Sequence, residues 1–108
     1  MTWAVEILNE TVEAELLGLS ADMQAAFARL VERVMAVGLE RIREPHVKHL
    51  DGKLWEMRLT GRDGIARAIY VTASGRRIIV LHAFVKKTQK TPKSALALAT
   101  ARMKEMDR

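Results

Sequence analysis

The chain has 108 residues, of which 49% are hydrophobic and 29% are charged, and its formal net charge is +5. This composition is typical of a globular domain and too apolar for a disordered chain, and the length predicts a single domain over residues 1–108. No apolar run approaches the roughly 20 residues that span a bilayer, no signal-peptide pattern opens the sequence, and cysteine is absent. We therefore expect a cytoplasmic protein without disulfides, a cysteine nucleophile or a thiolate metal site.

The first third of the sequence predicts a strand followed by two helices. Residues 3–8 form a short apolar run that is typical of a strand, and Asn9 can cap a helix directly after it. Ser20 is a second N-cap, and apolar residues then recur every three or four positions until Gly38, which ends the second helix. The pattern predicts a helical hairpin that packs one apolar face on a sheet.

The remaining residues predict a loop, three strands and a last helix. Residues 39–52 lack periodicity and are predicted to be a loop. Three strand-like runs follow, separated by turn residues, at residues 54–59, 65–72 and 78–85. Thr91 and Pro92 are predicted as the N-cap and first residue of the last helix. The predicted order is β-α-α-β-β-β-α, an α+β fold with helices packed on an antiparallel sheet.

The charges are unevenly divided along the chain. Residues 1–40 contain two basic and seven acidic residues, whereas residues 41–108 contain 16 basic and six acidic ones. A basic half of this kind is typical of proteins that bind a phosphate backbone, because neutralising phosphates releases condensed counterions. A solvated basic surface without a ligand is the alternative interpretation.

The candidate site residues are cations within or beside the predicted strands. Strand alternation places Arg67 among apolar side chains, where a guanidinium needs a partner because burying it alone is costly. Either Glu56 or the phosphate of a ligand can supply that partner. Arg58 is a second strand arginine. Four lysines fall within eight residues beside the last predicted helix: Lys86, Lys87, Lys90 and Lys93.

The three histidines carry weaker signals. His46 and His49 lie in the predicted loop without the further ligands that a metal site needs, so we expect no metal there. His82 lies in an apolar strand, where it is either satisfied by a nearby carbonyl or carboxylate, or faces a cleft. No phosphate-binding glycine loop or other cofactor motif is present, and we expect no cofactor.

Three segments together carry a family resemblance: L-W-E-M-R at residues 54–58, I-V-L-H-A-F-V-K-K-T-Q-K-T-P at residues 79–92, and the A-x-x-x-A helix after it. They resemble the phage-derived, HigB-type branch of the RelE superfamily, the toxins of type II toxin-antitoxin modules, and the likeness covers residues 3–106. It implies a RelE-like fold and a ribosome-dependent mRNA endonuclease, or mRNA interferase, that inhibits translation. The implied partners are the ribosome, mRNA and a cognate helix-turn-helix antitoxin, with a toxin-antitoxin heterotetramer as one assembly.

The resemblance also implies roles for individual residues. It places Arg67 where RelE-type toxins carry a strand arginine, and Lys86 and Lys87 on their basic pair. Metal-independent RNA cleavage through the 2′-hydroxyl needs a base, an acid and cations that stabilise developing charge. We predict that Arg67 and Lys87 stabilise charge and that either His82 or Lys86 transfers the proton. The other predicted site residues are Arg58 and Glu56 as orienting groups, Tyr70 as a supporting group, and the RNA-binding lysines Lys48, Lys53, Lys90 and Lys93.

Two other functions fit the same sequence. A non-catalytic RNA-binding or adaptor domain would use the basic face without cutting, although only five aromatic Phe, Trp and Tyr residues are available for stacking bases. An inert prophage remnant would retain only antitoxin binding. An antitoxin could block the basic surface with acidic groups or dock on the helical hairpin. We predict the second arrangement, with Glu13, Glu32 and Arg33 at the rim of the contact.

Overall fold

The computed structural model describes residues 2–87 and 90–106, in which five strands and three α-helices form a mixed α+β fold. Thr88 and Gln89 of the family-like segment lie outside this part of the chain. The elements are β1 (Ala4–Ile7), α1 (Glu10–Leu17), α2 (Ala21–Val37), a short 3₁₀ helix (Leu39–Arg41), β2 (Val47–Asp51), β3 (Leu54–Gly61), β4 (Gly64–Ala73), β5 (Arg77–Val85) and α3 (Lys93–Glu105). None of the helices in the described residues is long and apolar enough to cross a membrane.

The five strands form one sheet in the order β1-β5-β4-β3-β2. Strands β2 to β5 form an antiparallel meander, whereas β1 pairs with β5 in parallel. The helical hairpin of α1 and α2 covers one face, with Val12, Leu30 and Val34 packed over Met57 and Tyr70. Helix α3 covers the other face through a second core that includes Ile69, Val71, Leu81, Ala95 and Ala99. The sheet is therefore buried on both sides, and polar side chains among its strands must find partners.

The local signals for the starts of α1 and α2 and for the end of α2 are confirmed. The side chain of Asn9 accepts a hydrogen bond from the backbone N–H of Val12 at 3.0 Å, and that of Ser20 accepts one from Met23 at 3.2 Å. Gly38 ends α2 with φ of 89°, a conformation that favours glycine. These residues fix where the two helices of the hairpin begin and where α2 ends.

The predicted loop at residues 39–52 is wrong in part, because it contains β2. This strand pairs with β3 at the edge of the sheet. Val47 is its only buried residue, while Lys48 and His49 are exposed, so the alternation that identifies a half-buried strand is nearly absent. Charged residues are common on edge strands because they discourage pairing with other chains. The observed order therefore has one strand more than the predicted β-α-α-β-β-β-α.

The predicted start of the last helix is also wrong. Pro92, with φ of −60° and ψ of 145°, is the N-cap, and α3 begins at Lys93. The Thr91 hydroxyl donates a hydrogen bond to Glu56 at 2.7 Å instead of capping the helix. The segment before α3 is thereby attached to β3.

Candidate functional site

A cavity of about 210 Å³ lies where β3 and β4 meet the end of β5. Four cationic side chains and two carboxylates surround it. The lining residues of this Arg67 cavity are Glu44, Pro45, Lys48, Glu56, Arg58, Arg67 and Lys86. Its positive excess suits an anionic ligand.

The base of the Arg67 cavity is a buried ion pair between Arg67 on β4 and Glu56 on β3. Arg67 is 7% exposed and Glu56 is 2% exposed. The second carboxylate oxygen of Glu56 accepts a hydrogen bond from the hydroxyl of Thr91. Burial lowers the pKa of Arg67, but an arginine remains charged at ordinary pH. Of the two partners that the sequence allows for Arg67, Glu56 is therefore the one observed. The Arg67 Nε has no hydrogen-bond partner within the described residues.

Three further cations surround this pair. Arg58 lies directly opposite Arg67 in the register of β3 and β4. Lys86 follows β5, and its backbone N–H donates to the carbonyl oxygen of Ile65 at 2.7 Å, which fixes its position beside β4. Desolvation and then the charges of Arg67, Arg58 and Lys48 lower the pKa of Lys86. A larger neutral fraction makes this amine a better proton acceptor than an isolated lysine.

The structure brings together five of the predicted site residues and leaves others outside the cavity. Those in the cavity are Arg67, Lys86, Arg58, Glu56 and Lys48. Four predicted lysines are exposed and do not line the Arg67 cavity: Lys53, Lys87, Lys90 and Lys93. Lys53 lies in the turn between β2 and β3, Lys87 lies after β5, and Lys93 is the first residue of α3. The charge-stabilising role of Lys87 and the RNA contacts of Lys53, Lys90 and Lys93 stay predictions.

Tyr70 does not lie where its predicted supporting role requires. It is buried in the core beneath α1 and α2, whereas Arg67 faces the opposite side of the sheet. The cause is the alternation of side chains along β4, which sends residues three apart to opposite faces. Burial raises the pKa of the Tyr70 hydroxyl, so this group is a poor proton donor as well as a distant one.

His82 is held by a carboxylate at the edge of β5 and does not line the Arg67 cavity. Its Nδ1 lies 2.8 Å from Oε1 of Glu15 on α1. Arg102 on α3 donates to Glu15 and to the carbonyl oxygen of Leu81, each at 2.9 Å, and the N–H of Ala83 donates to Glu15 at 3.1 Å. Since α1 and α3 lie on opposite faces, this edge cluster joins the two helical layers around a stretch of β5 that β1 does not reach.

The edge cluster predicts a pH dependence of stability. Burial alone would raise the pKa of Glu15, but hydrogen bonds from Arg102, His82 and a backbone N–H outweigh it and hold the pKa below the ordinary 4.5. The stabilising contribution of Glu15 is therefore complete above 4.5 and is lost as the pH falls through the lower, folded-state pKa. We expect Glu15→Gln to reduce the free energy of unfolding at neutral pH by about 1–3 kcal/mol.

Urea denaturation at several pH values measures this effect. The difference between the wild type and Glu15→Gln should shrink as the solution becomes more acidic, because Glu15 then becomes neutral as well. Glu13→Gln, an exposed change on the same helix, is the matched control and should show little difference at any pH. A Glu15→Gln deficit that persists unchanged in acid would contradict the assignment.

The sequence did not predict a second basic cavity between α2 and β3. This α2–β3 groove has a volume of about 340 Å³ and shares Arg58 with the Arg67 cavity. Its other cationic or titratable lining residues are Arg29, Arg33 and His46. Arg33, predicted at an antitoxin rim, thus lines a basic groove. The available sequence signal was the spacing of Arg29 and Arg33, which places them on one face of α2.

Comparison with known proteins supplies one match. Residues 14–104 match the family model described as Phage derived protein Gp49-like (DUF891), so the match includes α2, all of β2 to β5 and every residue that lines the two basic cavities. No curated protein matches the chain.

Proposed function

The chain belongs to the phage-derived Gp49-like family, a RelE/HigB-like toxin family of toxin-antitoxin modules, and we propose that it is a ribosome-dependent mRNA endonuclease that inhibits translation. Membership in a toxin family implies an antitoxin partner. The single observation that carries the proposed activity is the Arg67 cavity, in which three further cations surround a buried, oriented guanidinium. We place the reaction in the cytoplasm, where translating ribosomes present mRNA, in one domain over residues 1–108.

The proposed chemistry is attack of a ribose 2′-oxygen on the neighbouring phosphorus. The 2′-oxygen loses its proton to a base, the bond from phosphorus to the 5′-oxygen breaks, and that oxygen takes a proton. The products are a 2′,3′-cyclic phosphate and a free 5′-hydroxyl. Negative charge accumulates on the phosphate oxygens as the bonds exchange, so guanidinium groups that are already in place accelerate the step.

The cavity geometry supports a role for each lining cation. Arg58 and Arg67 stabilise the charge on the phosphate, and the ion pair with Glu56 orients Arg67. Of the two candidates for proton transfer, Lys86 is favoured over His82, because its lowered pKa and cavity position suit a base. Lys48 is the other amine in the cavity and can donate a proton to the leaving 5′-oxygen.

Ribosome dependence is consistent with the scarcity of aromatic side chains on which RNA bases could stack. The chain contains two tryptophans, two phenylalanines and one tyrosine, and Tyr70 is buried. Proteins that bind free single strands rely on aromatic platforms to hold successive bases. A ribosome that presents the mRNA in a fixed conformation removes the need for such platforms.

Assembly with an antitoxin, including a heterotetramer, remains part of this proposal.

Induced expression in bacteria, followed by primer extension on a reporter mRNA, tests the activity. We expect growth arrest and cuts confined to the translated frame, and we expect Arg58→Gln to reduce cleavage by about 100- to 1,000-fold. Arg62→Gln is the matched control, since its side chain is 90% exposed in the turn after β3 and lines neither basic cavity.

The result distinguishes this proposal from the alternatives. Equal cleavage of naked RNA by the purified protein would overturn ribosome dependence. Binding to ribosomes without any cleavage would favour a non-catalytic RNA-binding domain. Antitoxin binding with neither ribosome binding nor growth arrest would favour an inert remnant.

A further inference from the structure

We propose that the α2–β3 groove is a second phosphate site, which binds the backbone of the same RNA strand beside the nucleotide held in the Arg67 cavity. This inference rests on the proposed function, because it assigns the substrate strand to a path over the surface. It concerns Arg29 and Arg33 on α2, which the chemistry of cleavage does not use.

The charge of the groove is the first argument. Arg29 and Arg33 are four residues apart on α2, so they project from the same face of the helix toward β3. Arg58 of β3 also lines the groove, and none of the groove-lining residues is a carboxylate. Within residues 2–87 and 90–106, none of these three arginines forms an ion pair. Like charges at this helical spacing repel one another, so the arrangement is unfavourable until an anion binds.

The shape of the groove is the second argument. Its remaining lining residues are Ala26 and Leu30, which are partly or fully buried, and Thr60 of β3. Apolar floor, hydroxyl and guanidinium groups together suit a nucleotide, since a sugar or base can contact the apolar part while the arginines bind phosphate through paired N–H groups. A carboxylate side chain of a protein partner would contact the arginines but would leave the apolar residues and the hydroxyl of the groove unused, so the lining favours a nucleotide.

The continuity of the two cavities is the third argument. Strand β2 pairs with β3 only as far as Met57, and beyond that point the N–H of Arg58 donates to the carbonyl oxygen of His46 at 2.9 Å. Arg58 therefore lies where the edge of β3 is no longer covered by a strand, and this residue lines both cavities. A strand of RNA that leaves the Arg67 cavity around this edge meets Arg29 and Arg33 next. The two cavities form one basic track.

The test is the salt dependence of binding to a short single-stranded RNA, compared with binding to vacant ribosomes. We expect the double variant Arg29→Gln and Arg33→Gln to bind the RNA about 10-fold more weakly at low salt. The slope of log affinity against log salt should fall by about 1 to 2, because two phosphate contacts are lost. The control, Arg41→Gln with Lys104→Gln, removes the same charge from exposed positions outside both cavities and should leave the slope unchanged.

A second variant separates charge from geometry. Arg29→Lys with Arg33→Lys should retain most of the salt slope but weaken binding a few-fold, because an ammonium lacks the paired donors of a guanidinium. The glutamine variant, which removes the two like charges, should have an unchanged or higher melting temperature, so its loss of RNA binding cannot be attributed to unfolding.

Several outcomes would overturn the inference. The first is an unchanged salt slope in the glutamine variant. The second is weaker binding to vacant ribosomes but not to the oligonucleotide, which would assign the groove to ribosomal RNA. The third is weaker binding to the antitoxin alone, which would make the groove a protein contact. Failure of the proposed function has a different signature. The wild type would leave mRNA on ribosomes uncut, while the difference in salt slope between the variants would still be measured.

Discussion

Replacing Lys86 with methionine is expected to reduce the rate of RNA cleavage by about 100- to 10,000-fold, the usual contribution of a positioned proton-transfer group. Methionine retains the length and the apolar part of the side chain, so the fold should persist with little change in melting temperature. Lys104→Met, an exposed change near the end of α3, is the matched control and should cleave at the wild-type rate. Single-turnover cleavage of mRNA on programmed ribosomes measures both.

The pH dependence of cleavage distinguishes a base from a purely electrostatic lysine. If the neutral amine of Lys86 accepts the proton, the rate should rise with pH until that amine is mostly deprotonated. Removing Arg58 takes away one of the charges that lower the pKa of Lys86, so its pKa rises and the profile of Arg58→Gln should move to higher pH. A slower Arg58→Gln enzyme with an unshifted profile would contradict Lys86 as the base.

Replacing Arg67 with alanine is expected to lower the free energy of unfolding by about 3–5 kcal/mol, because it leaves the buried carboxylate of Glu56 without its ionic partner. Thr91 supplies Glu56 with one neutral hydrogen bond, which does not replace a guanidinium. Urea denaturation at neutral pH measures the loss. Activity measurements on this variant therefore have to be compared with its folded fraction.

A double variant tests whether the cost arises from the unpaired charge. Arg67→Met with Glu56→Leu removes both charges and fills much of the same space, so it should recover most of the stability that Arg67→Ala loses. This double variant should not cleave RNA, because the guanidinium is absent. If Arg67→Ala proves as stable as the wild type, the ion pair contributes nothing to folding and its role is confined to orienting the site.

The helices of this fold could be predicted from local sequence, whereas the edge strand could not. Asn9, Ser20 and Gly38 cap helices through their own side chains or backbone, so their effect is readable from a few neighbouring residues. Strand β2 lies at the sheet edge with one buried residue, and only its pairing with β3 makes it a strand. Thr91 is a residue type that commonly caps helices, but its hydroxyl donates instead to the buried, charged carboxylate of Glu56.

The candidate site was predictable in its centre and not at its periphery. Alternation within a strand shows that Arg67 lies among apolar residues and therefore needs a partner, and Glu56 is on the adjacent strand. The same alternation sends Tyr70 to the other face. Arg29 and Arg33 add to the basic surface only because α2 lies beside β3. The distribution of charges along the sequence does not reveal this tertiary arrangement.

The parallel pairing of β1 with β5 has a consequence for the synthesis of the protein. Val5 lies opposite Ile78, so β1 has to wait for β5 before it can enter the sheet. Lys86, which comes directly after β5, emerges from the ribosome later still. Contacts so distant along the chain form late, because closing a long loop costs entropy before the pairing compensates for it. A nascent chain therefore lacks both a complete sheet and its proposed base until Lys86 has been made, and a product truncated before Lys86 should be harmless to the ribosome that made it.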